Sequence, residues 1–308
     1  MQTILGATGT IGKLLAKEPL NYTEKVRLVS RNPKKINESD ELLALDLLQP
    51  GAIDKAVEGS EVVYLVVGLE YKAKVWEKQW PLIMKGTIDA CLKFGTRLVF
   101  FDNVYMYDRK YITHMTEETP VNPSSRKGAV RKEIMEMLFD AVKKRGLKAL
   151  IARSADFYGP DNNMNFITQM VLKNLREGKR AMWFVSSGLK HSFTFTPDAA
   201  KGTAILGNTP DAYGEAWHLP TDSRQLTARE MIGLFASEFG AEPKITLLPS
   251  WMLTPLGLFI PAMLEMREMI YQYDRDYFFD STKFTRRFGI TATPYEEGVK
   301  ATTSAYSH

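Results

Sequence analysis

Three glycines spaced three residues apart stand in the run Gly6-Ala7-Thr8-Gly9-Thr10-Ile11-Gly12. A short apolar stretch precedes this run, and a helix-forming stretch from Lys13 to Lys17 follows it. A turn of this kind lets the backbone approach a pyrophosphate closely and directs the free N–H groups of a helix start towards it. The run therefore predicts a nucleotide site, to which we assign Gly6, Thr8, Gly9, Thr10, Ile11 and Gly12.

The surroundings of the glycine run distinguish it from an ordinary glycine-rich turn. A strand is predicted before it, and a second strand at Val26 to Ser30 follows the helix, which is the order that the dinucleotide-binding motif requires. Arg31 stands at the end of the second strand, with Lys34 and Lys35 nearby. An acidic residue here would bind a ribose 2′-hydroxyl, whereas arginine suits a 2′-phosphate. Arg31 therefore favours NADP over NAD, the alternative being a solvated basic turn.

Strand and helix patterns alternate over the next stretch of the chain. This order is typical of an α/β protein whose parallel sheet is covered on both faces, a Rossmann-type doubly wound fold. Because ligands bind at the carboxyl ends of strands in such sheets, Gly68 and Asn103 are expected beside the cofactor. The predicted strands are Glu41–Asp46, Glu61–Gly68 and Arg97–Phe101, and the predicted helices are Ala52–Val57 and Trp80–Phe94.

Composition excludes several classes of protein. The 308 residues are 44% hydrophobic and 25% charged, values typical of a soluble globular protein. The net charge of +4 is small and dispersed, so we expect no nucleic-acid partner. The single cysteine, Cys91, excludes a disulfide framework, and the four histidines, one of which is His308, share no metal-ligand spacing. We therefore expect no metal.

The two ends of the chain bear on location. The first predicted strand starts near Met1 and leaves no room for a signal peptide, which favours the cytoplasm. The most apolar late segment, Trp251 to Met266, contains Pro255 and Pro261 and is too short to span a bilayer. We expect no membrane association.

Together these features resemble the extended short-chain dehydrogenase/reductase superfamily, and more narrowly its NAD(P)-dependent epimerase/dehydratase-like members. Residues 149–160, ALIARSADFYGP, resemble the family's sixth strand and the loop beside the nicotinamide, and residues 191–200, HSFTFTPDAA, resemble the segment that returns to the cofactor domain. The resemblance implies a Rossmann domain of residues 1–160 plus about 190–210, and a smaller mixed α/β C-terminal lobe of residues 161–189 and 211–308 for a small-molecule substrate. It is compatible with a homodimer. It also implies cofactor contacts from Asp46, Leu47, Val67, Gly68, Arg131 and Ser154.

The sequence departs from the family at the catalytic helix. The family uses a Tyr-x-x-x-Lys helix together with a Ser or Thr at the end of the fifth strand, and the lysine helps the phenol to exchange a proton with a substrate hydroxyl. None of the thirteen tyrosines is followed four residues later by lysine. By alignment, Lys127 takes the tyrosine position, Arg131 the lysine position and Asn103 the Ser/Thr position. The usual proton relay is absent.

Four interpretations of this helix remain open. Arg131 retains the charge and the donors needed to bind the nicotinamide ribose. Lys127 could serve as the acid/base if burial and nearby positive charge favoured its neutral form. Tyr105 could supply a replacement phenol if the fifth strand continues, because it would share a face with Asn103. Alternatively, Lys127, Arg131 and Lys132 form only a solvated helix face.

The late part of the chain predicts little about the substrate. Methionines and aromatic residues between Trp251 and Tyr277 form either a core or the wall of an apolar pocket. Arginines 224, 229, 267 and 275 are scattered, which argues against a clamp for a sugar nucleotide. The sequence thus predicts an NAD(P)-binding oxidoreductase or epimerase acting on a small hydroxyl or carbonyl compound through a non-standard relay. The alternative is a catalytically inactive NAD(P)-binding redox sensor or regulatory protein.

Overall fold

Seven parallel strands form the main sheet in the computed structural model, which describes residues 1–160 and 165–306. The sheet order is β10-β6-β5-β4-β1-β2-β3. The strands of the chain, including four outside this sheet, are β1 Gln2–Leu5, β2 Val26–Ser30, β3 Glu41–Ala44, β4 Val62–Leu65, β5 Arg97–Asp102, β6 Ala149–Arg153, β7 Asp156–Tyr158, β8 Ala181–Phe184, β9 Phe193–Phe195, β10 Ala216–His218 and β11 Ile245–Leu248.

The direction of winding reverses at β1. From this strand the chain builds outwards to β2 and β3 on one side, and later to β4, β5 and β6 on the other. Ile4 of β1 lies beside Leu28 of β2 and Tyr64 of β4, and all three are buried. Ligands of open α/β sheets bind at such a switch point. The predicted doubly wound parallel sheet is confirmed.

Helices connect the strands and cover the sheet. α3 is the longest of the described helices at 22 residues and continues through Pro81. It begins at Ala73, before the start near Trp80 that the sequence predicts. The helices are α1 Thr10–Leu15, α2 Ala52–Val57, α3 Ala73–Phe94, α4 Arg126–Arg145, α5 Lys173–Arg176, α6 Thr196–Gly207, α7 Ala228–Glu238, α8 Leu253–Gly257, α9 Pro261–Arg267, α10 Thr282–Phe288 and α11 Tyr295–Tyr306.

The chain divides into two units, and the first contains the seven-stranded sheet. It comprises Met1–Met106, Arg126–Ser154 and Ala199–Leu219. Buried side chains of α3 and α4, among them Trp80 and Ile134, pack with Leu65 of β4 and Phe100 of β5. These two helices therefore bring their first turns to the sheet edge where β4 and β5 end.

The edge strand β10 joins the sheet beside β6, with Trp217 opposite Ala152. The substrate lobe predicted from the sequence, residues 211–308, included this strand. Three residues carry too little pattern to specify their partner, since strand pairing depends on contacts that are distant in sequence.

The second unit comprises Tyr107–Ser125, Ala155–Asp198 and Pro220–His308, with residues 161–164 and 307–308 outside the described part. It contains two small parallel pairs, β7 with β9 and β8 with β11. A capping box starts α7: the Thr227 side chain accepts the Glu230 N–H at 3.2 Å, and the Glu230 carboxylate accepts the Thr227 N–H at 2.7 Å.

The methionine- and aromatic-rich late stretch is mostly core. Met269, Tyr271, Tyr273 and Tyr277 are buried, and Met263 and Met266 pack against the core of the second unit. The exceptions include Trp251, which is 71% exposed, and the α8–α9 connection, in which Leu258 and Phe259 are 78% and 85% exposed.

Two negative findings concern the described residues. None of their helices combines the length and apolarity that crossing a membrane requires. No group of three or more His, Cys, Asp or Glu side chains within residues 1–160 and 165–306 could hold a metal ion. His308 lies outside the described residues.

Burial determines the reactivity of the single cysteine. Cys91 lies in α3, is 1% exposed, and burial raises the pKa of its thiol to about 12. Because the thiolate is the reactive form, we expect no measurable reaction of the native protein with a disulfide reagent at pH 8. In urea one thiol should react per chain. Rapid stoichiometric labelling of the native protein would contradict this burial.

Candidate functional site

The first glycine of the run has a backbone conformation that suits glycine alone. Gly6 has a φ of +99°, and a Cβ atom added there would lie 2.8 Å from the backbone nitrogen and Cα of Val67. The Gly6 N–H donates to the Val29 carbonyl at 2.9 Å. The end of β1 is thereby held against the ends of β2 and β4, an approach that a side chain at position 6 would prevent.

The third glycine lets helix α1 lie directly on the turn. A Cβ atom added to Gly12 would lie 2.4 Å from the Gly6 carbonyl oxygen and 2.8 Å from the Ala7 Cα. The Gly9 N–H donates to the same Gly6 oxygen at 3.1 Å, and α1 begins at the next residue without an acidic side chain in its first turn. A close turn running into an uncharged helix start suits a phosphate group.

A cavity of about 800 Å³ opens where β1, β2, β3 and β4 end. This volume lies within the range of cofactor and ligand pockets. Five predicted cofactor residues, Thr10, Ile11, Gly12, Arg131 and Ser154, do not line it, so their contacts with a cofactor stay predictions. The predicted residues that do line it are Gly6, Thr8, Gly9, Arg31, Asp46, Leu47, Val67 and Gly68.

The polar groups of this cavity fit a dinucleotide. Ser30 lines it, and within the described part of the chain its Oγ is buried without a hydrogen-bond partner. Arg31 is exposed beside it, and Asp46 is fixed at the wall because its carboxylate accepts the Leu48 N–H at 3.0 Å. The unpaired hydroxyl, the cation and the glycine-rich turn could bind the ribose and phosphates of such a ligand.

Lys127, the residue in the tyrosine position, is fully buried. Its Nζ lies 4.5 Å from the ring centroid of Tyr71. The Tyr71 hydroxyl donates a long hydrogen bond of 3.4 Å to the Tyr105 hydroxyl. The Tyr105 ring in turn stacks on Trp76, with centroids 6.2 Å apart. The first turn of α4 thus places a buried ammonium group against two linked phenols.

Asn103 shapes the turn after β5. The strand ends at Asp102, and the Asn103 side-chain oxygen accepts the Tyr105 N–H at 3.0 Å. The strand does not continue to Tyr105, so the argument from alternating strand faces does not apply. The asparagine-stabilised turn brings Tyr105 to Tyr71 instead.

Arg131, the residue in the lysine position, lies among aromatic rings. Its guanidinium carbon is 4.6 Å from the Trp76 ring centroid and 4.2 Å from that of Trp80. Nη1 is 3.5 Å from the carboxylate of Asp102, and neither Nη1 nor Nε has a hydrogen-bond partner among the described residues. Burial lowers the pKa of Arg131, whereas Asp102 opposes that change. Its role towards a nicotinamide ribose stays a prediction.

A second arginine shares the same carboxylate. Arg153 Nε lies 3.8 Å from Asp102, and its Nη2 donates to the Met135 sulfur at 2.9 Å. Burial raises the pKa of Asp102, against the opposing influence of Arg131 and Arg153. The first unit therefore contains a buried network of one carboxylate and two guanidinium groups at the carboxyl end of β5.

The solvated helix face considered from the sequence is wrong for two of its three residues. Lys127 is 0% exposed and Arg131 is 6% exposed, whereas only Lys132 reaches solvent, where it pairs loosely with Glu136 at 3.7 Å. The two residues that align with the family's catalytic pair point inwards, because α4 turns that face towards α3 and β5.

Comparison with known protein families identifies the fold's relatives. The model of the NAD dependent epimerase/dehydratase family matches residues 3–218, more than two thirds of the chain. The chain belongs to this family. No curated protein sequence matches the chain.

Solved structures of enzymes with epimerase and dehydratase names share the fold. A double mutant of the dTDP-glucose 4,6-dehydratase DesIV from Streptomyces venezuelae, with NAD bound, has a TM-score of 0.81 at 17% identity, covering 100% of this chain and 97% of that one. The Thermus thermophilus UDP-glucose 4-epimerase complex with NAD scores 0.79 at 16% identity, covering 100% and 99%. The Bacillus cereus UDP-glucuronic acid 4-epimerase, with UDP-glucuronic acid and NAD, scores 0.81 at 15% identity, covering 100% and 99%.

Sequence reasoning missed two residues that lie beside Lys127 and Arg131 in this epimerase/dehydratase family member, Tyr71 and Trp76. Both precede Trp80, the residue at which the helix was predicted to begin. The helix instead begins at Ala73, and Tyr71 lies in the link after Gly68. No motif marks a tyrosine in this link, so only the fold could associate it with Lys127.

Proposed function

We propose that this family member is an NADP-preferring oxidoreductase or epimerase acting on a small molecule with a hydroxyl or carbonyl group. The observation that carries the proposal is the cavity in which the glycine turn and Arg31 share one wall. A bound nicotinamide dinucleotide would supply hydride chemistry at a carbon atom bearing oxygen. The residues of the chain would bind the cofactor, orient it and handle the proton.

Arg31 supports the choice of NADP over NAD. It follows directly on β2, at the position where dinucleotide-binding folds distinguish a ribose hydroxyl from a phosphate. Its planar guanidinium group can donate two parallel hydrogen bonds to a phosphate. The neighbouring Ser30 offers a hydroxyl rather than a carboxylate, so no negative charge there would repel a 2′-phosphate.

Replacing Arg31 with alanine tests the cofactor. We expect the dissociation constant for NADP to rise by about 10- to 100-fold and that for NAD to stay almost unchanged, because hydrogen bonds to charged groups contribute about 1.5–3 kcal/mol. Isothermal titration with both dinucleotides measures this. Lys35→Ala is the matched control, since Lys35 is an exposed cation of the same turn that does not line the cavity. Equal losses for NAD and NADP would contradict the assignment.

The substrate in this proposal is a small hydroxyl or carbonyl compound rather than a sugar nucleotide. Arg224, one of the four scattered arginines, is already engaged: it contacts Asp222 at 2.6 Å and Glu296 at 2.7 Å. We propose that the second unit selects the substrate. A screen of alcohols and carbonyl compounds, followed by the absorbance of NADPH, tests for turnover, and sugar nucleotides belong in the same screen.

A second function is supported by the enclosed state of Arg131. Its guanidinium group packs on Trp76 and Trp80 and pairs with Asp102, and it does not line the cavity. A dinucleotide-binding redox sensor needs the cavity but no catalytic helix. Tight NADP binding without oxidation or reduction of any compound in the screen would favour this function over the enzyme.

A further inference from the structure

We propose that Tyr71 supplies the phenol that the catalytic helix lacks. In this proposal the Lys127 ammonium group stabilises the Tyr71 phenolate, and Tyr105 passes the proton of Tyr71 on to water. This inference rests on the proposed oxidoreductase or epimerase function. The tyrosine thus comes from a different element than in the family's catalytic helix, but a phenol and an ammonium group still lie next to each other. Tyr71 comes from the link between β4 and α3, Lys127 from the first turn of α4, and Tyr105 from the turn after β5.

The link after β4 places Tyr71 next to the cofactor cavity. Gly68, Leu69 and Glu70, the three residues before it, all line that cavity. The Glu70 carbonyl accepts the Trp76 indole N–H at 3.0 Å, which ties the link to the first turn of α3. The phenol is therefore fixed at the rim of the cavity rather than on a free loop.

Trp76 positions both tyrosines. Its ring meets Tyr71 edge to face, with centroids 5.8 Å apart and planes at 88°, and lies almost parallel to Tyr105 at 14°. Aromatic pairs in these two geometries are favourable. One indole thus holds the two hydroxyls 3.4 Å apart, a long hydrogen bond of the kind that catalytic groups form before a bound substrate tightens it.

Positive charge lies close to the Tyr71 phenol. Lys127 Nζ lies over the ring at 4.5 Å, and the interaction of a cation with a phenolate is stronger in a buried site than in water. Arg131 interacts with both phenols, since Tyr71 and Tyr105 act to raise its pKa. On the link itself, Glu70 and Lys72 pair at 2.6 Å and so offset each other.

In the proposed oxidation, Tyr71 accepts a proton and the nicotinamide accepts a hydride. The Tyr71 phenolate takes the proton of a substrate hydroxyl, so that the substrate O–H bond breaks and a tyrosine O–H bond forms. The electron pair of the neighbouring C–H bond leaves with its hydrogen as hydride to an oxidised nicotinamide, and a carbonyl group remains. Tyr71 then passes its proton along the hydrogen bond to Tyr105, which releases its own proton to water. Reduction follows the same path in reverse.

Tyrosine ionisation in the ligand-free protein tests the pair without turnover. In protein labelled with ¹³C at tyrosine Cζ, we expect one resonance to titrate about one pH unit or more below the exposed tyrosines. Tyr71→Phe should remove that resonance, and Lys127→Met should move its titration to higher pH. Tyr111→Phe is the control, because Tyr111 is 49% exposed and its loss should remove an ordinary resonance. An early resonance that persists in Tyr71→Phe, or is unmoved in Lys127→Met, would overturn the pair.

Kinetics test the catalytic half of the proposal. Tyr71→Phe keeps the ring that packs on Trp76, so it should lower kcat by about 100-fold or more while leaving KM and the NADP dissociation constant nearly unchanged. Unchanged kcat in Tyr71→Phe would overturn the role of Tyr71 alone. A wild-type protein with the early resonance but without turnover on any compound would overturn the proposed function and the catalytic step, and leave the ionised pair standing.

Discussion

Replacing Asp102 with alanine is expected to lower the free energy of unfolding by about 3–5 kcal/mol, the cost of leaving buried charges without their partner. The Asp102 side chain is 0% exposed, and its carboxylate lies near Arg131 and Arg153. The side chains of these two arginines are 8% and 2% exposed. Both guanidinium groups are therefore largely shielded from bulk water in the folded state. Urea denaturation of wild type and variant at pH 7 measures the difference.

Asp89 provides a matched control for this prediction. It also lies between two basic groups, Lys85 at 2.7 Å and Arg145 at 2.8 Å, but its side chain is 38% exposed. Asp89→Ala should therefore cost less than about 1 kcal/mol. Adding Arg131→Met to Asp102→Ala should recover part of the loss, because one unpaired guanidinium group disappears. A loss for Asp102→Ala as small as that for Asp89→Ala would contradict the network.

Replacing Gly12 with alanine is expected to weaken NADP binding by about tenfold or more, equivalent to at least 1.4 kcal/mol. The added Cβ would lie 2.4 Å from the Gly6 carbonyl oxygen and 2.9 Å from the Ala7 carbonyl carbon, and both atoms belong to backbone that cannot rotate away. The turn must open, which displaces the cavity wall. We also expect a stability loss of about 1–3 kcal/mol from overpacking. Isothermal titration and urea denaturation measure the two effects.

Gly233 separates this effect from the general consequence of replacing glycine. It lies inside α7, and a Cβ atom added there would meet nothing within 4 Å. Gly233→Ala should leave NADP binding unchanged and stabilise the protein by up to about 1 kcal/mol, because alanine favours the helix. Wild-type affinity in Gly12→Ala would show that the turn tolerates a side chain and would contradict the prediction.

The sequence predicted the part of the fold that depends on local pattern. Val26–Ser30 was predicted with the bounds that the structure has, and the run Glu61–Gly68 contains β4, because apolar β-branched residues buried on both faces form a continuous signal. The start of α3 was predicted too late in the chain. Proline is typical of the first turn of a helix, but this helix continues through Pro81. The position of the edge strand β10 in the sheet could not be predicted, since nothing within three residues specifies a partner strand.

The candidate site divides along the same line. Gly6, Arg31 and Gly68 could be assigned from the sequence because Gly6 and Arg31 follow directly on strands and Gly68 lies three residues after β4, and strand ends meet at one edge of a parallel sheet. Tyr71 could not be assigned, because its relation to Lys127 spans 56 residues and depends on how α3 and α4 pack. Arg131 could be aligned with a family position, but its burial between indole rings is a property of tertiary structure alone.

The order in which the sheet takes its strands determines when it can be completed during synthesis. Its last member, β10, ends at His218, while the first unit also draws on residues 126–154. A nascent chain that has released only the glycine turn and its first strands therefore still lacks β5, β6 and β10. Parallel pairings between distant segments form slowly. The edge of β6 that pairs with β10 therefore has no partner until residues 216–218 have been synthesised.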